Sequence, residues 1–160
     1  MTETILIVDD EIANLRLFSN MLGDRYEIET AGTGREGQEK AIELAPDLIL
    51  LDVIMVDMSG IEVCKALKTD PATTGIPVIF VTSLDDAHNE QHGLTVGAVD
   101  YYAKPIHPAV LQARVRVHLE HRQYTRYLEA LVDQHTRSLS EARRQAQLLL
   151  EGQQAWSARA

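Results

Sequence analysis

Short apolar runs alternate along this chain with longer stretches of helical period. Ile5-Leu6-Ile7-Val8, Leu48-Ile49-Leu50-Leu51 and Val78-Ile79-Phe80-Val81 are apolar throughout. Such runs predict strands covered on both faces, as in a parallel sheet. Tyr26-Glu27-Ile28-Glu29-Thr30 alternates polar with apolar and predicts an edge strand, and Val99-Asp100-Tyr101-Tyr102 supplies a fifth. Helical stretches fall near 11–22, 34–44, 60–68 and 86–96. Thr33 with Glu36 reads as a capping box opening the second helix. Gly23 ends the first helix, and Pro46 follows the second. Asp70 to Pro77 has loop composition. Repeated β-α units predict right-handed crossovers and a parallel sheet with helices on both faces. In such sheets ligands bind beyond the carboxyl ends of the strands.

The residues just past the predicted strands therefore matter most. Asp9, Asp10 and Glu11 follow the first, Asp52 the third, Thr82 and Ser83 the fourth, Lys104 and Pro105 the fifth. Taken singly, acidic residues there are often helix caps, and Lys-Pro is usually a turn. Together they fall at one end of one sheet. Crowded carboxylates repel one another unless a cation sits among them. Oxygen ligands suit a hard ion such as Mg²⁺. A hydroxyl and an ammonium nearby meet the oxygens of a phosphoryl group, and a carboxylate beside the metal can attack phosphorus.

Composition narrows the field. The chain has 160 residues and a formal net charge of -9. Residues 1–120 hold 9 Lys and Arg against 20 Asp and Glu, whereas residues 121–160 hold 6 against 4. An acidic globular part argues against direct binding to nucleic acid or an anionic membrane. One cysteine, Cys64, excludes an internal disulfide. No apolar run is long enough for a membrane span, and Met1-Thr2-Glu3-Thr4 lacks the basic region of a signal peptide. A cytoplasmic location is the expectation.

From residue 4 to about 120 the sequence resembles the receiver domains of two-component response regulators. The motifs are Ile7-Val8-Asp9-Asp10-Glu11, Asp52 with Met55, Met58 and Gly60, Val81-Thr82-Ser83, and Gly97-Ala98-Val99-Asp100-Tyr101-Tyr102-Ala103-Lys104-Pro105, in the family's order and spacing. The resemblance implies a flavodoxin-like (βα)5 doubly wound α/β fold, strand order 2-1-3-4-5. It implies a signalling switch rather than a turnover enzyme. Asp52 would accept a phosphoryl group from a sensor histidine kinase or phosphotransfer protein. Asp10 and Asp52 would hold Mg²⁺ (or Mn²⁺) directly with the backbone carbonyl of Ile54, and Asp9 would act largely through water. Lys104 would pair with a phosphoryl oxygen across a cis bond to Pro105. Thr82 and Tyr101 would move together as the switch, altering the surface of helix 4, strand 5 and helix 5. The chain departs from the family at Val56, where proline is usual, and at Ser59, where an acidic or amide residue is common.

Beyond 120 the helical pattern continues, with neither glycine nor proline from Ala109 to Glu151. Val117, His121, Tyr124, Leu128, Val132, His135, Leu139, Ala142, Ala146 and Leu149 recur at steps of three and four, with one stutter at Leu128–Val132. This predicts helix 5 extended into a coiled coil over 121–151, forming a homodimer, with 152–160 a frayed tail. The segment resembles linkers that join receivers to output modules, among them cyclic-di-nucleotide phosphodiesterases, diguanylate cyclases and histidine kinases. No output module fits after Glu151. The expectation is a stand-alone receiver with a dimerising tail, or a chain that ends inside a linker.

Other readings are weaker. An aspartate-nucleophile phosphohydrolase needs a second carboxylate two residues after Asp52, where Ile54 stands. A nucleotide- or flavin-binding relative lacks its glycine-rich loop after strand 1. A pure dimerisation scaffold does not explain the intact Asp10, Asp52, Thr82 and Lys104 set. Cys64 reads as packing, and His88 with His92 as a surface pair. Ile54 and Leu84 stand at family positions that govern water access to the acyl phosphate, and both are apolar. The expected outcome is a long-lived phosphorylated state, checked by the decay of label from purified, phosphorylated protein; loss within seconds would contradict it.

Overall fold

A computed structural model describes residues 1–83 and 87–160, with backbone alone at 87–89. Five strands, β1 (Thr4–Val8), β2 (Glu27–Ala31), β3 (Leu48–Leu51), β4 (Val78–Thr82) and β5 (Asp100–Ala103), alternate with α1 (Ile12–Leu22), α2 (Gly34–Leu44), α3 (Gly60–Thr69), α4 (Ala87–Thr95) and α5 (Pro108–Ser157). All pairings are parallel, and the order is β2-β1-β3-β4-β5. This is the flavodoxin-like order, with the alternating strand at the edge. The expected start of the fourth helix at 86 lies outside the described residues.

Apolar runs become central strands because successive side chains point to opposite faces, and both faces are covered. Leu6, Val8, Ile49, Leu51, Val78 and Phe80 face one way, onto Val63, Cys64 and Leu67 of α3. Ile5, Ile7, Leu48, Leu50, Ile79 and Val81 face the other, onto Phe18 and Leu22 of α1 and Leu111, Val115 and Leu119 of α5. Burial pushes the Cys64 thiol up to about 11, so it is packing material rather than a nucleophile.

Local chemistry sets the helix starts. Thr33 accepts from the Glu36 amide at 3.1 Å. The Glu36 carboxylate returns to the Gly32 amide at 2.9 Å, one residue earlier than a capping box requires. The complete box is at α3: Ser59 Oγ accepts from the Ile61 amide at 3.1 Å, and Glu62 accepts from the Ser59 amide at 3.0 Å. Serine at 59 thus has a definite task as an N-cap.

By contacts, the chain divides into Met1–Arg122 and Gln123–Ala160. Within the first unit, Arg122 donates to the Pro46 carbonyl at 2.7 Å and lies 3.6 Å from Asp47. The second unit is helical through Ser157, past Glu151, where the sequence pattern placed the end. Its apolar positions are open, with Leu128 44%, Val132 65%, Leu139 72% and Leu149 71% exposed. No helix among the described residues is long and apolar enough to cross a membrane.

One backbone approach links fold to site. A Cβ on Gly60 would overlap the carbonyl oxygen of Asp52, and the Gly60 amide donates to the Val53 carbonyl at 2.8 Å. Gly60→Ala should cost more than about 2 kcal/mol in urea unfolding, since backbone rather than a flexible side chain must yield. A variant within about 0.5 kcal/mol of the parent would show that this loop relaxes freely.

Candidate functional site

The strand ends meet as topology requires. Asp9 and Asp10 follow β1, Asp52 follows β3, Thr82 ends β4 and Lys104 follows β5. One carboxylate oxygen from each of Asp9, Asp10 and Asp52 lies within 4.8 Å of the others. Asp9 and Asp52 are buried and Asp10 is half-buried. Lys104 Nζ donates to Asp9 Oδ2 at 2.6 Å and stands 3.5 Å from Asp52 Oδ2. Its closer partner is therefore Asp9. The Lys104–Pro105 bond is cis, and the Lys104 amide donates to the Thr82 carbonyl at 2.7 Å.

Each carboxylate is held differently. Asp9 Oδ1 accepts from the Glu11 amide at 2.9 Å and from Asn14 Nδ2 at 3.4 Å. Asp10 Oδ2 accepts from the Val56 amide at 3.0 Å. Asp52, 6% exposed, keeps Oδ1 buried with no hydrogen-bond partner among the described residues. Burial raises the Asp52 pKa, and the Asp9 charge adds to that. Lys104, the Thr82 hydroxyl and the Ile54 amide pull it the other way and are outweighed.

This arrangement fits a divalent cation. Three carboxylates face one ammonium, the donor set is all oxygen, and a buried carboxylate oxygen stands unsatisfied. A cation there would offset the repulsion that burial amplifies.

Not every expected residue sits at the carboxylates. Tyr101 is 8% exposed and packs in the core, its ring centroid 6.0 Å from that of Phe80. Ile54 is exposed, with its amide toward Asp52. Leu84 lies outside the described residues, as does the His88 side chain. The sequence pattern does not point to Asn14, the Val56 amide or Asp57, which the structure brings to the site or its loops. Asp57 accepts from the Gly34 and Arg35 amides at 2.9 and 3.0 Å, which draw its carboxyl below the usual range. No spacing rule finds contacts between such distant segments.

With that geometry in place, comparison with known proteins assigns the class. Residues 5–116 match the family model of the response regulator receiver domain. The chain belongs to that family. It is 44% identical over 117 residues to "Response regulator PleD" of Caulobacter vibrioides, covering 72% of this chain and 26% of that protein. It is 42% identical over 119 residues to a "Probable cyclic di-GMP phosphodiesterase" of Vibrio cholerae, covering 74% of this chain and 27% of that protein. The chain thus spans about a quarter of the length of these relatives. A CheY-like receiver domain from Methanospirillum hungatei superposes with a TM-score of 0.74 at 30% identity, over 78% of this chain and 99% of that one.

Because folding raises the Asp52 pKa, the native state binds that proton more tightly than the unfolded chain. Stability should fall as pH rises from the ordinary carboxylate range through the raised native value. Asp52→Asn should flatten that fall and, at neutral pH without metal, stabilise by on the order of 1 kcal/mol. Thermal melts of both proteins between pH 4 and pH 7 check this, and a less stable Asn variant at pH 7 would contradict it.

Proposed function

We propose that this chain is a phosphorylation-dependent switch in which Asp52 accepts a phosphoryl group from a phosphohistidine of a sensor histidine kinase or phosphotransfer protein. An Asp52 carboxylate oxygen attacks phosphorus, the N–P bond breaks as the acyl O–P bond forms, and the imidazole leaves with its electron pair. The observation that carries this reading is the buried, unpartnered oxygen of Asp52 within an acidic cluster faced by Lys104. Asp10, Asp52 and the Ile54 carbonyl would hold Mg²⁺ or Mn²⁺, with Asp9 acting through water. The cation supplies charge neutralisation on the phosphoryl oxygens. Lys104 stands ready to exchange its contact with Asp52 for one with the incoming phosphoryl group. Thr82 hydrogen-bonds toward the same carboxylate and would turn to the phosphoryl oxygens, with Tyr101 following.

A phosphodonor must reach the rim, and apolar surface flanks it. Ile12 and Leu17 of α1 are 66% and 49% exposed. A groove of about 240 Å³ runs between Asn14, Leu17 and Phe18 and the segment Lys104-Pro105-Ile106. An amphipathic helix of the donor suits such a groove.

The relay outward would run through β5 and α5. Asp100 accepts from the Tyr102 hydroxyl at 2.6 Å and lies 2.8 Å from His118 Nε2, and the Arg114 guanidinium stacks over the Tyr102 ring at 5.3 Å. These contacts fasten β5 to α5. The apolar positions beyond Gln123 then suit a parallel coiled-coil homodimer that presents the two helices to an output module or partner. Their spacing and exposure support that reading, since a lone helix would leave this stripe in water.

Incubation with Mg²⁺ and acetyl phosphate should add one phosphoryl group by mass. Asp52→Asn should abolish the gain, and Lys104→Ala should reduce it by at least about tenfold. Repeated turnover of a phosphoester would favour a hydrolase. Sedimentation should show a dimer that Leu128→Asp with Leu139→Asp converts to monomer; a monomeric parent at about 100 μM would remove the coiled coil from the reading.

A further inference from the structure

The side chain of Val56 is 93% exposed, so packing does not account for what this residue does. Its main chain has a partner. The Val56 amide donates to Asp10 Oδ2 at 3.0 Å, joining the β3–α3 loop to the segment after β1. The next residue anchors the same loop on its far side, where the Asp57 carboxylate accepts from the Gly34 and Arg35 amides that open α2. The loop is held between α2 and Asp10 by polar bonds.

Asp10 needs such a partner more than its neighbours do. Asp9 is buried and takes bonds from Lys104, Asn14 and the Glu11 amide. Asp52 is buried among Lys104, Thr82 and the Ile54 amide. Asp10 is the half-buried member of the three. A carboxylate there has rotamer freedom to lose when it takes up a ligand.

We propose that the Val56 main-chain amide is the positioning group for Asp10, holding that carboxylate turned toward Asp52 so that a divalent cation meets a preorganised ligand. An amide bond to an ionised oxygen is stronger than one between neutral groups. Partners that orient a metal ligand commonly govern affinity as strongly as some ligands do. The proposal rests on the metal-binding reading of Asp9, Asp10 and Asp52, but the bond itself exists without metal and can be measured without it.

Two comparisons on the full chain test it. Val56→Ala keeps the amide and Val56→Pro removes it. In Mg²⁺ titrations followed by amide-resolved NMR, Val56→Ala should bind within about twofold of the parent and Val56→Pro about tenfold more weakly. Equal affinity in the proline variant would overturn the proposal while leaving the metal site intact. No Mg²⁺ binding by the parent would instead bring down the metal reading and the proposal with it. Proline also restricts Met55 and could distort the loop, so the second comparison needs no proline. In metal-free protein the Val56 amide proton should exchange slowly, and Asp10→Ala should speed its exchange and move its resonance upfield. Rapid exchange in the parent, or no change in the Asp10 variant, would refute the proposal.

Discussion

Three carboxylates and one ammonium share a single rim, and their mutual electrostatics constrain everything around them. Asp52 is 6% exposed, so its charge has lost most of its hydration. Lys104 returns part of that stabilisation but stands nearer Asp9, at 2.6 Å against 3.5 Å. The result is a site whose charge is only partly compensated by the protein itself. In the proposed function a divalent cation would offset the remaining negative charge before a phosphoryl group is added. Such a site suits the proposed switch, because a fully satisfied carboxylate would have little reason to rearrange on modification.

The fold supplies the rigidity that this imbalance requires. Aliphatic side chains on both faces of the sheet hold β1, β3, β4 and β5 in register, which fixes where their carboxyl ends lie. Around the rim, main-chain groups do the fine placement. The Gly60 amide ties α3 to Val53, the Glu11 and Val56 amides hold Asp9 and Asp10, and Asp57 ties the loop to α2. Glycine at 60 and serine at 59 are there for backbone approach and capping, and neither touches the chemistry.

The relatives are about four times as long as the stretch they share with this chain, so the receiver unit is the part held in common. Here it leads into α5, whose early turns are sealed onto the sheet by Leu111, Val115 and Leu119. Asp100, Tyr102 and His118 add polar contacts beside them, and Arg122 closes on the Pro46 carbonyl. In the proposed function, a rearrangement at β5 would act on these packed turns of α5. The exposed stripe beyond Gln123 is the surface that the proposed coiled-coil pairing would cover.

Much was legible in the residues alone. Short uninterrupted apolar runs predict strands covered on both sides, and the structure places β1, β3 and β4 where those runs lie; β2 and β5 each begin one residue later than the pattern suggests. Parallel topology then forces Asp10, Asp52, Thr82 and Lys104 to one end, because every strand runs the same way. Hydrophobic period and strand direction are properties of short stretches, which a sequence carries directly. The tertiary structure decided what depends on bonds between distant segments: Lys104 closer to Asp9 than to Asp52, Asp57 on the start of α2, and the Val56 amide on Asp10. Several of those bonds use backbone donors, which every residue but proline possesses, so side-chain identity does not announce them. They exist only once the packed sheet has brought the segments within about 3 Å of each other.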